Sequence, residues 1–378
     1  MNRSYARSHG FSLPELMVSL VIGLVLVLAI TVIVARQEDI RRSVTSGNDL
    51  SSNSAYSAFV LDRELRHAGS GLVGSVNWGC PVAVSRNNAQ LLPAVAPFPA
   101  PFAAIPATVP LAPVVVHAGA GANGSDVLAI MSGNSGLSES GLPIAPKSAA
   151  AGRVQLNNTI GMRGGDLVLV TQAGACMLQQ VSNGFAGGAT PTLTFGGTYA
   201  ANTIGSVTLT DFASSSSNGS AYVSVLGNVV GNRPRFQLLG IDSNNTLVTY
   251  DLLNLAGTTP QPLVEGVVEL KVLYGVDGTG ARTAVTTWVA PSAAGYTAAD
   301  LSNGTSVAQT TLGNILAVRV GLVIRSDQAA KEAVTADTIT LFSDLGGALT
   351  HTYNVPDGTQ QQRYRAVEFT IPLRNVRF

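Results

Sequence analysis

The sequence predicts an α+β protein, in which a long N-terminal apolar helix precedes a mostly antiparallel, β-rich globular domain. Residues 16–35 form a run of twenty without a single charge. At 1.5 Å per residue a helix of that length covers roughly 30 Å, the thickness of a bilayer's hydrocarbon core. From Val127 onward, short runs rich in β-branched and apolar residues recur, bounded by Gly, Asn and Asp, the pattern of strands separated by turns. The composition agrees, because 40 Gly and 18 Pro are spread over 378 residues and punctuate the chain with turns.

The first element is a short basic leader. Residues 1–10, MNRSYARSHG, hold Arg3 and Arg7 and no acid, so the positive-inside rule keeps them in the cytoplasm and sends the body outside. The flank beyond Ala35 reads ARQEDIRRSV, a poor site for an ordinary signal peptidase. Glu15 stands at the cytoplasmic end of the apolar stretch, where an ionisable group is costly, about 2.5–3.5 kcal/mol for a charge at the centre of a span. Its plain reading is an interfacial carboxylate that snorkels to water.

From residue 36 to 68 the apolar positions Ile40, Val44, Leu61, Leu65 and Ala68 keep mostly helical spacing, which predicts an amphipathic continuation. GNDLSSNS at 47–54 is weak in helix propensity and a place to loosen or kink. The charges of LDREL at 61–65 read as a solvated face. GSGLVG at 69–74 has the glycine spacing of a dinucleotide-binding loop but follows a helix rather than a strand, so it reads as a C-cap and turn. Residues 93–113 hold seven prolines, which excludes a helix or a central strand. They read as an extended surface excursion, with Phe98 and Phe102 available to a partner. The run SSSSNGS at 214–220 reads as a loop tip. The clearest strands are Val267 to Tyr274, Ile315 to Arg325 and Ala366 to Leu373, whose alternation suits a sheet with one buried face. No internal repeat of fixed period is present.

The 22 basic residues match the 22 acidic ones, so no field exists to hold nucleic acid. His9, His67, His117 and His351 are scattered, and none stands at metal-ligand spacing from a Cys, Asp or Glu. There is no G-x-S-x-G elbow. Asp277 in GVDGTG lacks the carboxylates of a calcium loop and reads as a hairpin turn. The expectation is therefore no enzyme, no metal and no cofactor. Cys80 and Cys176 form an even pair, read as one disulfide in an oxidising compartment, with two buried free thiols as the alternative.

The stretch GFSLPEL at 10–16, with Gly10, Phe11 and Glu15 ahead of the charge-free run, resembles the class III leader and first helix of type IV pilins and type II secretion pseudopilins. Within that family GMRGGDLVLV at 161–170, GVVELKVLYGVDG at 266–278, VRVGLVIRSDQAAKE at 318–332 and the ending LRNVRF resemble PilW-type minor pilins. The resemblance implies a prepilin leader, 1–10, cut after Gly10 by the prepilin peptidase, and methylation of the new amine on Phe11. It also implies that Glu15 pairs with the amine of a neighbouring subunit. Phe11 and Glu15 are four apart, so a contact within one chain remains an alternative. The implied organisation is a transmembrane and amphipathic helix at 11–70, a Pro-rich irregular excursion at 71–125 and an extracytoplasmic β-rich domain at 126–378. The implied role is a subunit that primes or caps assembly of a pilus. Its partners are the major and minor pilins, the inner-membrane assembly platform and a large tip adhesin. Its location is the bacterial inner membrane as precursor, with the body in the periplasm, then the pilus at the cell surface. A type II secretion pseudopilin, and a binding module displayed on a pilin helix, are the rival readings.

Overall fold

A computed structural model of the chain describes residues 12–72, 78–135, 141–172, 174–188, 190–214, 220–255 and 257–376. Its first element is one helix, α1, Leu13–His67, about 80 Å long at the standard rise. Pro14 lies in its first turn, where the missing N–H costs nothing because that donor has no intrahelical acceptor. The helix stops at Ala68, whose N–H donates to the Leu65 carbonyl, and Gly69 follows with φ +78°. A Cβ at Gly69 would sit 3.1 Å from Pro113, so both the left-handed turn and the close approach favour glycine there. Residues 69–72 thus form the turn expected of GSGLVG, whose last two residues lie outside those described.

The weak stretch 47–54 does not break α1. Leu50 and Ser54 are buried against the body, Ser54 Oγ donates to the Leu50 carbonyl at 2.6 Å and Asn53 Nδ2 donates to the Glu265 carbonyl at 3.2 Å. Packing on one face and back-bonding hold residues whose intrinsic propensity is poor. The buried stripe is Ser46, Leu50, Ser54, Ser57, Leu61, Leu65 and Ala68. Three of its members are serines, small enough to let the helix lie close on a sheet.

That sheet has four antiparallel strands in the order Thr287–Val289, Val267–Val276, Ile315–Ala329, Gln362–Pro372. A five-stranded antiparallel sheet runs Gln261–Glu265, Thr246–Asp251, Arg235–Ile241, Val127–Ser132, Val114–His117. Asp126 joins the two. Its N–H donates to the Leu270 carbonyl at 2.8 Å, and its carboxylate accepts from the N–H groups of Val272 and Gly119, both at 2.9 Å. Burial pushes this carboxyl above its ordinary range, opposed by Lys271 and the two N–H donors. A six-stranded sheet completes the body in the order Ala89–Leu92, Val82–Arg86, Ala175–Gln180, Asp166–Gln172, Tyr222–Asn228, Leu142–Pro143. All its pairings are antiparallel except that of Val82–Arg86 with Ala175–Gln180.

Three sequence expectations need correction. The strands Val267–Val276 and Ile315–Ala329 are buried on both faces for most of their length. Beneath the four-stranded sheet a hairpin, Thr338–Leu341 with His351–Asn354, drives Leu341 and Phe342 against Val268, Leu273 and Val323. The Pro-rich segment is irregular, with a single turn of 3-10 helix at Phe102–Ala104, yet it is no surface excursion. Phe98, Phe102, Ile105, Val109 and Leu111 are all buried, and Phe98 meets Tyr250 edge-on at 6.0 Å. Prolines bring apolar surface without an N–H donor, so such a segment can enter a core with few unpaired backbone groups. Finally, 71–125 is irregular only in part, because it supplies three strands to the two larger sheets.

Candidate assembly interface

Among the described residues, nothing outside α1 covers its N-terminal half. Every residue from Leu13 to Glu38 is exposed, and the helix is long and apolar enough to cross a membrane by length and composition. Exposed Leu, Val and Ile side chains in such number cannot be left in water at about 25 cal/mol per Å² of apolar area. A bilayer or a bundle of similar helices is the environment they fit. Glu15 sits in the first turn of this rod, and the Ser12 hydroxyl reaches toward its carboxylate at 3.5 Å. The positive end of the helix macrodipole favours an anion there. Gly10 and Phe11 lie outside the described residues.

Where the rod leaves the apolar stretch, Arg36, Arg41 and Arg42 are exposed, with Glu38 and Arg42 paired at 3.5 Å. The body begins one turn later. Arg363 donates to the Ser43 hydroxyl at 2.8 Å, and at the other end Asn375 Nδ2 donates to the Ala68 carbonyl at 3.0 Å. The strand Gln362–Pro372 therefore runs in the same direction as α1 along its whole C-terminal half.

Glu64 fixes the top of the helix to the five-stranded sheet. It accepts from Arg235 at 2.7 and 2.9 Å, from Gln237 at 2.8 Å and from Arg63 at 2.6 Å, with its side chain 6% exposed. Burial pushes this carboxyl up, but the hydrogen bonds from Arg235, Arg63 and Gln237 outweigh it and hold it below its ordinary value. The charges of LDREL are thus not one solvated face. Asp62 and Arg66 pair on the outside, while Glu64 turns inward. The signal was present in the spacing, because Leu50, Ser54, Ser57, Leu61, Glu64 and Ala68 fall on one i, i+3, i+4 stripe.

Cys80 and Cys176 are joined in a disulfide with Cα atoms 5.9 Å apart. The bond lies beside the parallel pairing of Val82 with Cys176 and ties the start of the Pro-rich segment to the six-stranded sheet. Asp277 closes the expected turn after Val276. Its carboxylate accepts from the Thr279 hydroxyl at 2.6 Å and from the N–H groups of Thr279 and Thr283 at 2.8 and 3.0 Å, which lowers its pKa to about 2. Both oxygens are committed to protein donors. The described histidines stay apart: His67 faces its own helix, His117 is buried at a strand end, and His351 approaches Glu269 at 3.3 Å. Among the described residues no group of three or more His, Cys, Asp or Glu is placed to hold a metal.

A long helix, apolar and uncovered at its N-terminal end and docked on an antiparallel body at the other, defines a protein of pilin-like architecture. Residues 5–31 match the model of the prokaryotic N-terminal methylation motif, and residues 240–375 match that of the type IV pilus-assembly protein W, PilW. The two matches support a type IV pilus-related pilin and are consistent with a PilW-type minor pilin. No curated protein and no solved structure matches the chain. The PilW match covers the four-stranded sheet and its hairpin, the part of the body on which α1 rests.

Proposed function

We propose that the chain is a minor pilin that enters an extracytoplasmic filament by its N-terminal helix and primes or caps its assembly. The observation that carries this reading is the division of α1. Leu13 to Glu38 is uncovered, whereas the stripe from Ser46 to Ala68 is locked to the body. Cleavage after Gly10 would leave Phe11 with a free amine four residues before Glu15. A carboxylate and an ammonium that meet inside an apolar bundle each relieve a desolvation cost that neither bears easily alone. Glu15 of one subunit and the Phe11 amine of the next then set the axial register of packing. The partners under this reading are other major and minor pilins, the prepilin peptidase and the assembly platform, with an adhesin at the tip.

Glu15→Ala tests the role. The variant is expected to be cleaved normally and to remain in the membrane, with its recovery in sheared filaments abolished. Recovery equal to that of the unaltered chain contradicts the pairing.

A further inference from the structure

The strand Gln362–Pro372 is the outer strand of the four-stranded sheet, and the parity of its free edge can be read directly. The Leu373 N–H donates inward to the Leu316 carbonyl, and the Arg363 N–H donates inward to the Ser326 hydroxyl. Odd-numbered residues therefore pair with the neighbouring strand Ile315–Ala329, and even-numbered ones face out. Thr335 closes the membrane-proximal end of the edge, because its hydroxyl donates to the Gln362 carbonyl and accepts from the Tyr364 N–H. Beyond it the N–H groups of Ala366, Glu368 and Thr370 point outward with no acceptor among the described residues, and Ala366, Thr370 and Pro372 are exposed. Pro372 occupies the next outward position, where a residue without an N–H is tolerated in an edge strand. The two edges of the five-stranded sheet, by contrast, each carry a side-chain partner: the Val116 N–H donates to the Tyr274 hydroxyl, and the Glu265 carbonyl accepts from Asn53.

We propose that the open edge at 366–370 accepts an extended strand from a neighbouring, different pilin subunit, extending the four-stranded sheet across the subunit boundary. The inference rests on the assembly reading above. Three features define the occupant. Free outward N–H and C=O groups suit an extended backbone, as in strand addition to a sheet edge. On the face shared with α1, Val367 and Phe369 are half-buried and call for apolar side chains beside them. On the same face Arg365 is exposed with no ion pair among the described residues, so an acidic residue of the incoming strand is its complement. A second copy of this chain does not serve in antiparallel register. The strand runs parallel to α1, so antiparallel pairing of two copies would reverse one α1 relative to the other. Two helices threaded into one membrane with the same polarity cannot be so arranged.

The test uses the full chain expressed with its sibling pilins. Thr370→Pro removes one outward N–H without touching the inward ladder, and Thr370→Ala keeps that N–H as the control. Formation of the Cys80–Cys176 disulfide reports that the variants fold. Thr370→Pro is expected to lower recovery in sheared filaments about tenfold, the size of one lost interface hydrogen bond with its local fit, and Thr370→Ala to leave it unchanged. In the unaltered chain, amide exchange across 365–371 is expected to slow only when the siblings are present. Equal recovery of the two variants, with exchange that ignores the siblings, overturns this inference alone. Should the proline variant fail to form its disulfide, the exchange result decides by itself. Absence of the unaltered chain from filaments overturns the assembly reading and this inference with it.

Discussion

Glu64 is the most consequential ionised side chain in the body, because it is almost fully enclosed and depends on partners from two elements. Removing Arg235, itself half-exposed, leaves Arg63 and Gln237 to satisfy the carboxylate, so Arg235→Ala is expected to cost about 1–2 kcal/mol in chemical denaturation. The pH dependence follows from the depressed pKa. The stabilisation is fully present above the ordinary carboxyl value of 4.5 and is lost as pH falls through the lower folded value. An Arg235→Ala chain should accordingly show a smaller loss of stability between pH 5 and acid than its parent in chemical denaturation followed against pH. The charges of LDREL alone point to a solvated face, whereas helical phase turns Glu64 inward. Its identity as an anchor was nonetheless legible in the i, i+3, i+4 stripe it shares with Leu61 and Ala68.

At the scale of elements, α1 lies on its sheet through small side chains. Ser57 is fully buried and its hydroxyl has no hydrogen-bond partner among the described residues. Ser57→Ala removes an unsatisfied polar atom, and thermal unfolding should show it neutral or slightly stabilised. Ser57→Leu must push the helix off the strands, and the same scan should show a loss of about 1–3 kcal/mol. Leu61→Ala opens a cavity at the centre of the stripe and should cost about 2–5 kcal/mol. The helix and the principal strands were legible because their periods are set by the chain itself. What alternation did not reveal was the second buried face of the four-stranded sheet. That face is covered by Leu341 and Phe342 from a hairpin later in the chain, and no local pattern announces a cover from elsewhere. The burial of the Pro-rich segment is hidden from local pattern for the same reason. Its prolines correctly excluded regular structure, but only Tyr250, more than a hundred positions away, shows where Phe98 and Phe102 go.

At the scale of the whole molecule, the Cys80–Cys176 disulfide closes a loop of 96 positions that contains the Pro-rich segment and strands of both larger sheets. In the chain-entropy model such a loop contributes about 4–5 kcal/mol, so reduction should lower the thermal midpoint of the body sharply while leaving α1 helical by circular dichroism. The body nevertheless explains only half of the architecture. The other half is a bare apolar rod with one carboxylate near its start, a form that is stable in lipid or among similar rods and nowhere else. The cleavage and methylation that would prepare this rod rest on Gly10 and Phe11, legible as a motif in the sequence. The direct measurement is mass spectrometry of sheared extracellular filaments. A peptide of this chain that begins at N-methylated Phe11 is the expected result; full-length chain starting at Met1, found only in the membrane fraction and never in filaments, would contradict assembly through the processed helix.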